Sequence, residues 1–337
     1  MHLTSLQKKI VPQIEASLKH FFDIQVFGTA QPLNQMISYH MGWEDEVGHG
    51  KRIRPLLTLL CTGALDSDFH CAMPAAVSVE FLHNFTLIHD DIEDQSDLRH
   101  GRETVWKHWG MAQAINAGDT LFCISQLAML NLSQTCGEEI AIHATKALNQ
   151  VCLHLTRGQY QDIAFEADDD TELEAYLEMI RGKTAALISL STTLAGIITR
   201  QDEVVTSHLS NFGGSLGMAF QMQDDYLGIW GDPKITGKSS SSDLHARKKT
   251  LPVLYGLNNC QEFKELWNKD NLTHAQTTNM VEILENCGAR SYVGNQVADY
   301  TNQAFDALES IFGDAKNKNI FSDELFILCE KLLNRKA

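Results

Sequence analysis

The chain has 337 residues, of which 44% are hydrophobic and 21% are charged, so it is long and apolar enough to bury a substantial core. This composition excludes a disordered regulator and a small disulfide-stapled protein. Its 43 acidic residues against 27 Lys and Arg give a net charge of −16, which argues against nucleic acid as a partner, because that binding needs clustered positive charge.

The pattern along the chain predicts helices and almost no strands. Six prolines separate long segments of helix-forming residues, and no stretch shows the sustained two-residue alternation of a strand. Apolar residues recur at helical spacing in the segments 75–94, 112–132, 139–165, 172–199, 204–229, 273–287 and 290–312. Because no repeat, long linker or change of composition divides the chain, we expect residues 1–337 to form one large all-α domain.

The sequence also predicts a cytoplasmic protein without an integral membrane segment. The N-terminal residues 1–21 mix charged and apolar positions, unlike a secretory signal, and the uncharged stretch 184–199 is short and polar for a membrane span. The eight cysteines are dispersed and form no CxxC pair, which is typical of reduced thiols in a cytosolic protein.

In chain order, the first local signal is cationic. Residues 48–55 carry Lys51, Arg52 and Arg54 with no acidic residue among them. Because the backbone can approach a ligand closely at glycine, the glycines beside these cations make the segment a candidate anion site. For Arg52 we favour an ordinary surface ion pair instead.

The predicted helix 75–94 ends in an acidic run, HDDIED. Its Asp90 and Asp94 are four residues apart and share one helix face, and His83 lies two turns earlier on nearly the same face. Carboxylates crowded at a helix C-terminus are unfavourable, because they repel each other and the helix dipole. Bound cations would relieve both, and oxygen ligands without a nearby His/Cys set suit Mg²⁺.

Two smaller cationic groups follow the acidic run. Arg99, His100 and Arg102 come directly after it, and Lys183 and Thr184 lie between two predicted helices. We interpret Arg102 as an ordinary solvated or ion-paired cation.

A second acidic helix end is found in residues 221–228, where Asp224 and Asp225 close an apolar helix. One such pair could simply be solvated, but its occurrence at two helix ends favours metal binding. Paired carboxylates for a divalent metal, together with scattered cations for phosphate, predict a metal-bridged diphosphate site.

The Gly-, Pro- and Ser-rich segment 231–249 predicts a mobile loop. Its cations are Lys234, Lys238, Arg247, Lys248 and Lys249, and we interpret Lys249 as an ordinary solvated or ion-paired cation. Residues 231–239 look like a phosphate-binding P-loop, but five residues separate the glycines where that motif has four, and no strand precedes them. We therefore reject nucleotide hydrolysis by this route.

These motifs, in this order, resemble the polyprenyl synthetase family, the trans-isoprenyl diphosphate synthases that include farnesyl and geranylgeranyl diphosphate synthases. The matching stretches are GKRIRP (50–55), FLHNFTLIHDDIED (81–94), DLRHGRET (97–104), INAGD (115–119), GQYQDI (158–163), GKT (182–184), FQMQDDYLGIWGDPKITGK (220–238) and SDLHARKKTLP (242–252). The resemblance implies an all-α fold, a single large helical bundle around a deep central cavity, and a homodimer. It also implies a prenyltransferase that condenses isopentenyl diphosphate with an allylic diphosphate (dimethylallyl, geranyl or farnesyl).

The resemblance further implies roles for individual residues. Mg²⁺, as three ions bridged by diphosphate, would be held by Asp90, Asp94 and Asp224. The allylic diphosphate would contact Arg99, Lys183, Thr184, Gln221 and Lys238. Isopentenyl diphosphate would contact Lys51, Arg54 and His83, and further candidate substrate-binding residues are His100 and Lys248. The candidate catalytic set comprises Asp90, Asp94, Asp224, Lys183 and Lys238.

Some positions depart from the family pattern. His100 stands where the family usually has a second arginine that binds isopentenyl diphosphate, and a neutral histidine is a weaker phosphate ligand, although protonation beside a diphosphate is reasonable. Gly228 stands where the second acidic motif would end in an aspartate, and Glu103 replaces a usual proline. Asp232 could substitute for the missing aspartate only if the helix continued, which the neighbouring Gly and Pro oppose.

In this family the residue five before the first aspartate lines the pocket for the growing chain. Here it is Phe85, with Leu82 and Phe81 nearby. A bulky ring at this point blocks very long products. The first acidic motif also lacks the two-residue insertion of common bacterial farnesyl diphosphate synthases, so we expect geranylgeranyl diphosphate, with farnesyl diphosphate second. Ordinary core packing is the alternative interpretation of Phe85.

Two alternative functions stay open at the level of sequence. His100 and Gly228 motivate a terpene synthase on the same scaffold, which ionises a prenyl diphosphate without condensing it. The other alternative is a non-catalytic regulatory subunit of a prenyl synthase, which the presence of the metal and lysine positions disfavours.

Overall fold

The computed structural model describes residues 4–25, 31–44, 50–168, 171–232, 241–269, 272–313 and 319–333. Helices account for nearly all of them, which confirms the predicted all-α fold. In chain order the helices are α1 (Gln7–Gln25), α2 (Gln31–Met41), α3 (Ile53–Ala64), α4 (Met73–Glu93), α5 (Val105–Trp109), α6 (Met111–Leu130), α7 (Leu132–Thr135), α8 (Glu138–Ala167), α9 (Leu173–Ile180), α10 (Ala186–Ile198), α11 (Glu203–Trp230), α12 (Ser242–His245), α13 (Leu251–Asn259), α14 (Gln261–Trp267), α15 (His274–Asn286), α16 (Ala289–Phe312) and α17 (Ile320–Leu333).

Three short elements interrupt this helical pattern. A 3₁₀ turn (Phe69–Ala72) leads into α4, and a π-helical turn (Arg181–Ala185) joins α9 to α10. A small hairpin pairs β1 (Leu98–Arg99) with β2 (Arg102–Glu103) in antiparallel register. The hairpin was not predicted, because strands this short show no alternation of apolar and polar residues.

The chain divides into two compact units. Unit 1 comprises Met1–Asn149, Leu190–Ser207 and Lys316–Leu325, and unit 2 comprises Gln150–Ser189, His208–Ala315 and Phe326–Ala337. That residues 1–337 act as one domain with a deep central cavity stays a prediction.

Each unit has its own apolar core. In unit 1 the fully buried side chains include Leu57 and Leu60 of α3 and Phe81 and Leu82 of α4. In unit 2 one core cluster joins α9, α11, α13 and α16 through Tyr176, Ile180, Met218, Met222, Leu254 and Val293. These cores hold α4 and α11, the two helices with acidic C-terminal ends, in place.

The segment Phe69–Glu93 is long and apolar enough by composition to cross a membrane, but 61% of its apolar window is buried within the protein. This burial is what a core helix of a globular protein shows. The neighbouring helix α6 packs closely on α4, since a Cβ at Gly118 would overlap the ring of His89. The glycine of the INAGD motif therefore allows this packing.

Candidate active site

The C-terminal end of α4 presents two aspartates that are one helical turn apart. Asp90 is half-buried and Asp94 is exposed. The backbone N–H of Asp94 donates to the Asp90 carbonyl at 2.8 Å, which closes the last helical turn. The two carboxylates therefore lie on the same side of the helix end, as their spacing predicts.

Asp91, which lies between them, has a different environment. It is 2% exposed, and its carboxylate accepts hydrogen bonds from Nε and Nη2 of Arg99 at 2.8–3.0 Å. Burial raises the pKa of Asp91, and the hydrogen bonds and charge of Arg99 oppose this effect. Arg99 is thus held in place by a buried carboxylate.

His100 and Gly101 form the two-residue loop of the hairpin, and both have positive φ, 53° and 80°. Positive φ at both positions is typical of a type I′ turn. The pKa of His100 is lowered, first by partial burial and then by Arg99, with smaller effects from Arg102 and Lys51. The neutral ring, which is the weaker phosphate ligand, is therefore the form present before a ligand binds.

Arg54 of α3 and Arg99 of β1 both act electrostatically on His83 of α4 in unit 1. We call this group, with Lys51 and His100, the cationic basin. The pKa of His83 is lowered well below its ordinary value by burial and then by the charges of Arg54 and Arg99. Burial lowers the pKa of Arg54 to about 10, and its Nε is buried without a hydrogen-bond partner among the described residues. A buried donor without a partner, placed among cations, suits an anionic ligand.

Arg52, the middle cation of the same sequence cluster, is neutralised by two carboxylates. It is 4% exposed, its Nε pairs with Glu15 at 2.5 Å, and its Nη1 pairs with Glu80 at 2.7 Å. Arg52 forms ion pairs as predicted, but the prediction that it is a surface cation is wrong, because the residue is buried.

The two other cations that we interpreted as ordinary bind backbone carbonyls. Arg102 donates to the carbonyl of Tyr39, and its guanidinium lies 4.1 Å from the centroid of the Tyr39 ring. Lys249 donates to three carbonyls at the C-terminal end of α8, at 2.8–3.3 Å. Both contacts tie separate segments together, since a cation at a helix C-terminus satisfies carbonyls that lack a helical partner.

The three candidate chain-length residues differ in burial. Phe81 and Leu82 are fully buried in the core of unit 1, whereas Phe85 is half-buried. The ring centroid of Phe85 lies 5.2 Å from that of Phe122 on α6 and 4.7 Å from that of His89. Phe122 thus faces Phe85 across the helix pair, although no sequence motif pointed to it.

In unit 2, the end of α11 repeats this combination of an accessible and a buried aspartate. Asp224 is half-buried. Asp225 is 3% exposed and accepts hydrogen bonds from the hydroxyl of Tyr176, from Nε2 of Gln221 at 3.0 Å and from the backbone N–H of Leu251 at 3.2 Å. Burial raises the pKa of Asp225 to about 7, although these three donors oppose it. Asp225 is structural, which leaves Asp224 as the candidate metal ligand.

Two of the predicted allylic diphosphate ligands are hydrogen-bonded to each other. Oγ1 of Thr184 donates to Oε1 of Gln221 at 2.9 Å. Because Nε2 of Gln221 donates to Asp225, the amide has one fixed orientation. The buried Asp225 therefore positions Gln221 and, through it, Thr184.

Lys183 lies on the π-helical turn and forms an ion pair with Asp162 of α8. A Cβ at Gly158 would overlap the backbone nitrogen of Lys183, so this glycine lets α8 approach the turn and brings Asp162 to the lysine. Sequence reasoning missed Asp162 and Tyr176 as members of the site. The signal for Asp162 was its place in the GQYQDI motif, whereas no motif marked Tyr176.

A carboxylate from another helix occupies the space beside Gly228. Gly228 lies one turn after Asp224 on α11, and a Cβ there would overlap Oδ2 of Asp243 from α12. The helix ends at Trp230, and Asp232 is exposed beyond it. Asp232 therefore does not lie on a continued helix, and the carboxylate nearest this position is that of Asp243.

The predicted loop 231–249 is described only in part. Lys234 and Lys238 lie outside the described residues, as does most of the segment that resembles a P-loop. Lys248 is exposed, and its backbone N–H donates to the Asp243 carbonyl at 2.9 Å. The mobility of the loop stays a prediction.

Each acidic helix end, taken by itself, offers donors that suit a hard divalent cation shared with a phosphate ligand. Within the described ranges, no three or more His, Cys, Asp or Glu side chains are already gathered as a metal site. Asp90 and Asp94 in unit 1, and Asp224 in unit 2, offer only carboxylate oxygens, and Mg²⁺ is commonly held by one or two carboxylates together with substrate phosphates.

Known proteins are similar to this chain in both sequence and fold. The family model for polyprenyl synthetase matches residues 31–287. The chain is 37% identical over 294 residues to the (2E,6E)-farnesyl diphosphate synthase of Mycobacterium tuberculosis, covering 83% of this chain and 80% of that protein. It is 38% identical over 262 residues to the geranylgeranyl pyrophosphate synthase of Geoglobus acetivorans, covering 78% and 81%. The crystal structure of geranylgeranyl pyrophosphate synthetase from Pyrococcus horikoshii matches with a TM-score of 0.88 at 29% identity, over 98% of each chain.

Proposed function

The chain belongs to the polyprenyl synthetase family, and we propose that it condenses isopentenyl diphosphate with an allylic diphosphate to give geranylgeranyl diphosphate as its main product. It is a short-chain prenyltransferase, since relatives that match most of its length are farnesyl and geranylgeranyl diphosphate synthases. The product length is the proposed part, with farnesyl diphosphate as the second choice.

The observation that carries the proposal is the layout of α4. His83 contributes to the cationic basin. Further along the same helix, Asp90 stands two turns away and Asp94 three turns away, about 10 and 16 Å at 1.5 Å per residue. This separation suits two neighbouring diphosphates, one bound by cations alone and one bound through metal. The buried Nε of Arg54, without a partner among the described residues, supports a ligand in the basin.

We assign the metal-binding role to Asp90, Asp94 and Asp224. When bound, Mg²⁺, proposed as three ions, neutralises charge on the departing allylic diphosphate. Contacts to that diphosphate are assigned to Arg99, Lys183, Thr184, Gln221 and Lys238. Contacts to isopentenyl diphosphate are assigned to Lys51, Arg54, His83 and His100, and Lys248 is a further substrate-binding candidate.

The side chains act mainly by placing positive charge where negative charge develops. Arg99 is fixed by Asp91, so it stabilises the leaving diphosphate with little reorganisation. Lys183 has to share its ammonium between Asp162 and the diphosphate, and the carboxylate orients the lysine before substrate binds. Arg54 and His83 orient isopentenyl diphosphate so that its double bond attacks the allylic carbon. The released diphosphate takes the proton that the condensation sets free.

Phe85 and Phe122 are the proposed limit on product length. Their rings pack 5.2 Å apart, and Phe85 is only half-buried, so a growing chain that runs along α4 meets a pair of rings rather than one. Neither ring can turn away without losing its packing against the other. This pair supports a short product.

We further propose a homodimer. Leu153, Tyr160 and Ile163 are 73%, 74% and 43% exposed and share one face of α8 in unit 2. Exposed apolar residues in such number mark a contact surface. Light scattering checks this: we expect twice the chain mass for the native protein and a monomer for the double variant Leu153→Glu, Tyr160→Glu.

We also propose that the protein acts in the cytoplasm. All eight cysteines are free, which fits a reducing compartment. A cysteine-reactive label applied to fresh cell extract tests this, since blocked thiols would contradict it.

One assay tests the reaction itself. Purified protein is incubated with Mg²⁺, radiolabelled isopentenyl diphosphate and each allylic diphosphate in turn, and the products are separated by chain length. We expect labelled geranylgeranyl diphosphate. Labelled farnesyl diphosphate as the end product would correct the length, and release of an unlabelled hydrocarbon or alcohol would contradict condensation.

A further inference from the structure

A histidine outside the sequence motifs lies beside the cationic basin. His40 is near the C-terminal end of α2, and arginines hold the carbonyls on both sides of it. Arg102 donates to the Tyr39 carbonyl, and Nη2 of Arg52 donates to the Met41 carbonyl at 3.3 Å. His40 is therefore fixed between two guanidinium groups.

Nε2 of the His40 ring is buried and has no hydrogen-bond partner among the described residues. Asn84 of α4 faces the ring and raises its pKa. Nδ2 of Asn84 donates to the carbonyl and the carboxylate of Glu80 at 2.8 and 3.2 Å, which leaves the amide oxygen to face His40.

Without a ligand this ring is neutral. Burial is the largest cause that lowers the pKa of His40, to about 3. The charges that face it add to this effect, and they come from Arg99 on β1, Arg52 before α3 and Arg102 on β2. The pKa of His83 on α4 is lowered by Arg54, Arg99, Arg52 and His40. A diphosphate in the basin would reverse the sign of the field at these rings.

We propose that His40 is a further residue of the diphosphate site in unit 1, that its neutral ring carries its hydrogen on Nδ1, and that binding of a diphosphate there adds one proton from solvent to its Nε2. This inference rests on the proposed function, since it needs a diphosphate in the basin. The added proton gives Nε2 a hydrogen to donate and places another positive charge near the phosphate oxygens. Binding is thereby linked to pH and strengthens as protons become more available.

Calorimetry tests the proton uptake directly. Isopentenyl diphosphate is titrated into the protein at pH 7.5 in two buffers of different ionisation enthalpy, without Mg²⁺ or allylic substrate, so that no turnover occurs. We expect a net uptake of protons when the ligand binds. The ligand itself can only release its last proton on binding to cations, so it cannot imitate an uptake.

The variant His40→Asn keeps a side-chain N–H for Asn84 but cannot titrate, and we expect at most half of the native uptake. The matched control is His274→Asn, an exposed position in unit 2, which should behave as the native protein. Binding heats that are equal in both buffers, or undiminished uptake in His40→Asn, would overturn the inference. Absence of any binding in the native protein would contradict the proposed function itself.

A second measurement covers the case in which His40→Asn does not fold. The ring nitrogens of histidine give separate ¹⁵N resonances for their protonated and unprotonated forms. In the native protein, saturation with isopentenyl diphosphate should move the His40 Nε2 resonance to the protonated position. A resonance that stays at the unprotonated position would overturn the inference.

Discussion

Arg99 binds the carboxylate of Asp91 through both Nε and Nη2, at 2.8–3.0 Å, while the adjacent Asp90 is only half-buried. Substitutions of these two neighbouring aspartates should therefore have different effects on activity and stability. Asp90→Ala should abolish Mg²⁺-dependent turnover, because it removes a metal ligand, and should lower the urea midpoint less than Asp91→Ala does, because Asp90 is less buried. Asp91→Ala should lower the unfolding free energy by about 2 kcal/mol, because it leaves Arg99 unpaired in a partly buried place.

Turnover assays and urea unfolding, run on both variants, separate these outcomes. Full activity in Asp90→Ala would contradict its role as a metal ligand. Native stability in Asp91→Ala would contradict the structural role of its ion pair.

The end of α11 allows the same comparison in unit 2. Asp224→Ala should abolish turnover and cost less stability than Asp225→Ala, because Asp224 is less buried. Asp225→Ala leaves the hydroxyl of Tyr176 and the backbone N–H of Leu251 without an acceptor, and it should cost about 2–3 kcal/mol of unfolding free energy. Thermal unfolding followed by circular dichroism measures this difference, and equal melting temperatures for the two variants would argue against it.

The ring pair between α4 and α6 predicts a change in product. Phe85→Ala should lengthen the product by at least one isoprene unit, and Phe122→Ala should act in the same direction, because each change opens the space beside the other ring. The buried Phe81 is the control: Phe81→Ala should lower the unfolding free energy by about 3–4 kcal/mol and leave the product unchanged. Chromatography of the dephosphorylated products decides, and an unchanged product in Phe85→Ala would return this ring to ordinary packing.

Gly228 predicts an unusual response to a family-like substitution. Gly228→Asp installs the aspartate of the family motif, but its Cβ would overlap Oδ2 of Asp243. We expect a loss of stability of about 2 kcal/mol or more from steric overlap and carboxylate repulsion. The double variant Gly228→Asp, Asp243→Gly should regain most of it. No recovery in the double variant would show that the contact with Asp243 is not the cause.

His40 predicts how stability responds to acid. In the unfolded chain a histidine has a pKa near 6.5, whereas the pKa of folded His40 is lowered to about 3. Its contribution is therefore present above pH 6.5 and is lost as pH falls toward 3. Between pH 7.5 and pH 5.5 the native protein should lose roughly 1 kcal/mol relative to His40→Asn.

Urea unfolding of both proteins at the two pH values gives this difference. Asp225, whose pKa is raised to about 7, changes stability in the opposite direction. Its carboxyl binds a proton more tightly in the folded state than in the unfolded state, so its contribution to stability grows as pH falls. It is present in both proteins, so its contribution cancels. A pH-independent difference between the two proteins would contradict the prediction for His40.

Helix positions were predictable because apolar spacing is a local property, and α4, α6, α8, α11, α15 and α16 lie where the periodicity put them. Which aspartate in each acidic run is exposed was harder to predict from spacing, because it depends on how the helix is rotated against its neighbours. Asp162 reaches Lys183 from 21 positions away, and Tyr176 reaches Asp225 from 49 positions away. Such contacts arise from tertiary packing, which a local pattern does not encode.

The π-helical turn at Arg181–Ala185 limits the ways in which this protein can evolve. A π turn carries one more residue than an α turn and has weaker hydrogen-bond geometry, so deleting one residue there would restore a regular and more stable helix. The same deletion would rotate Lys183 away from Asp162 and Thr184 away from Gln221. Selection for stability and selection for activity thus oppose each other at this turn, and lineages that need the enzyme should retain its extra residue.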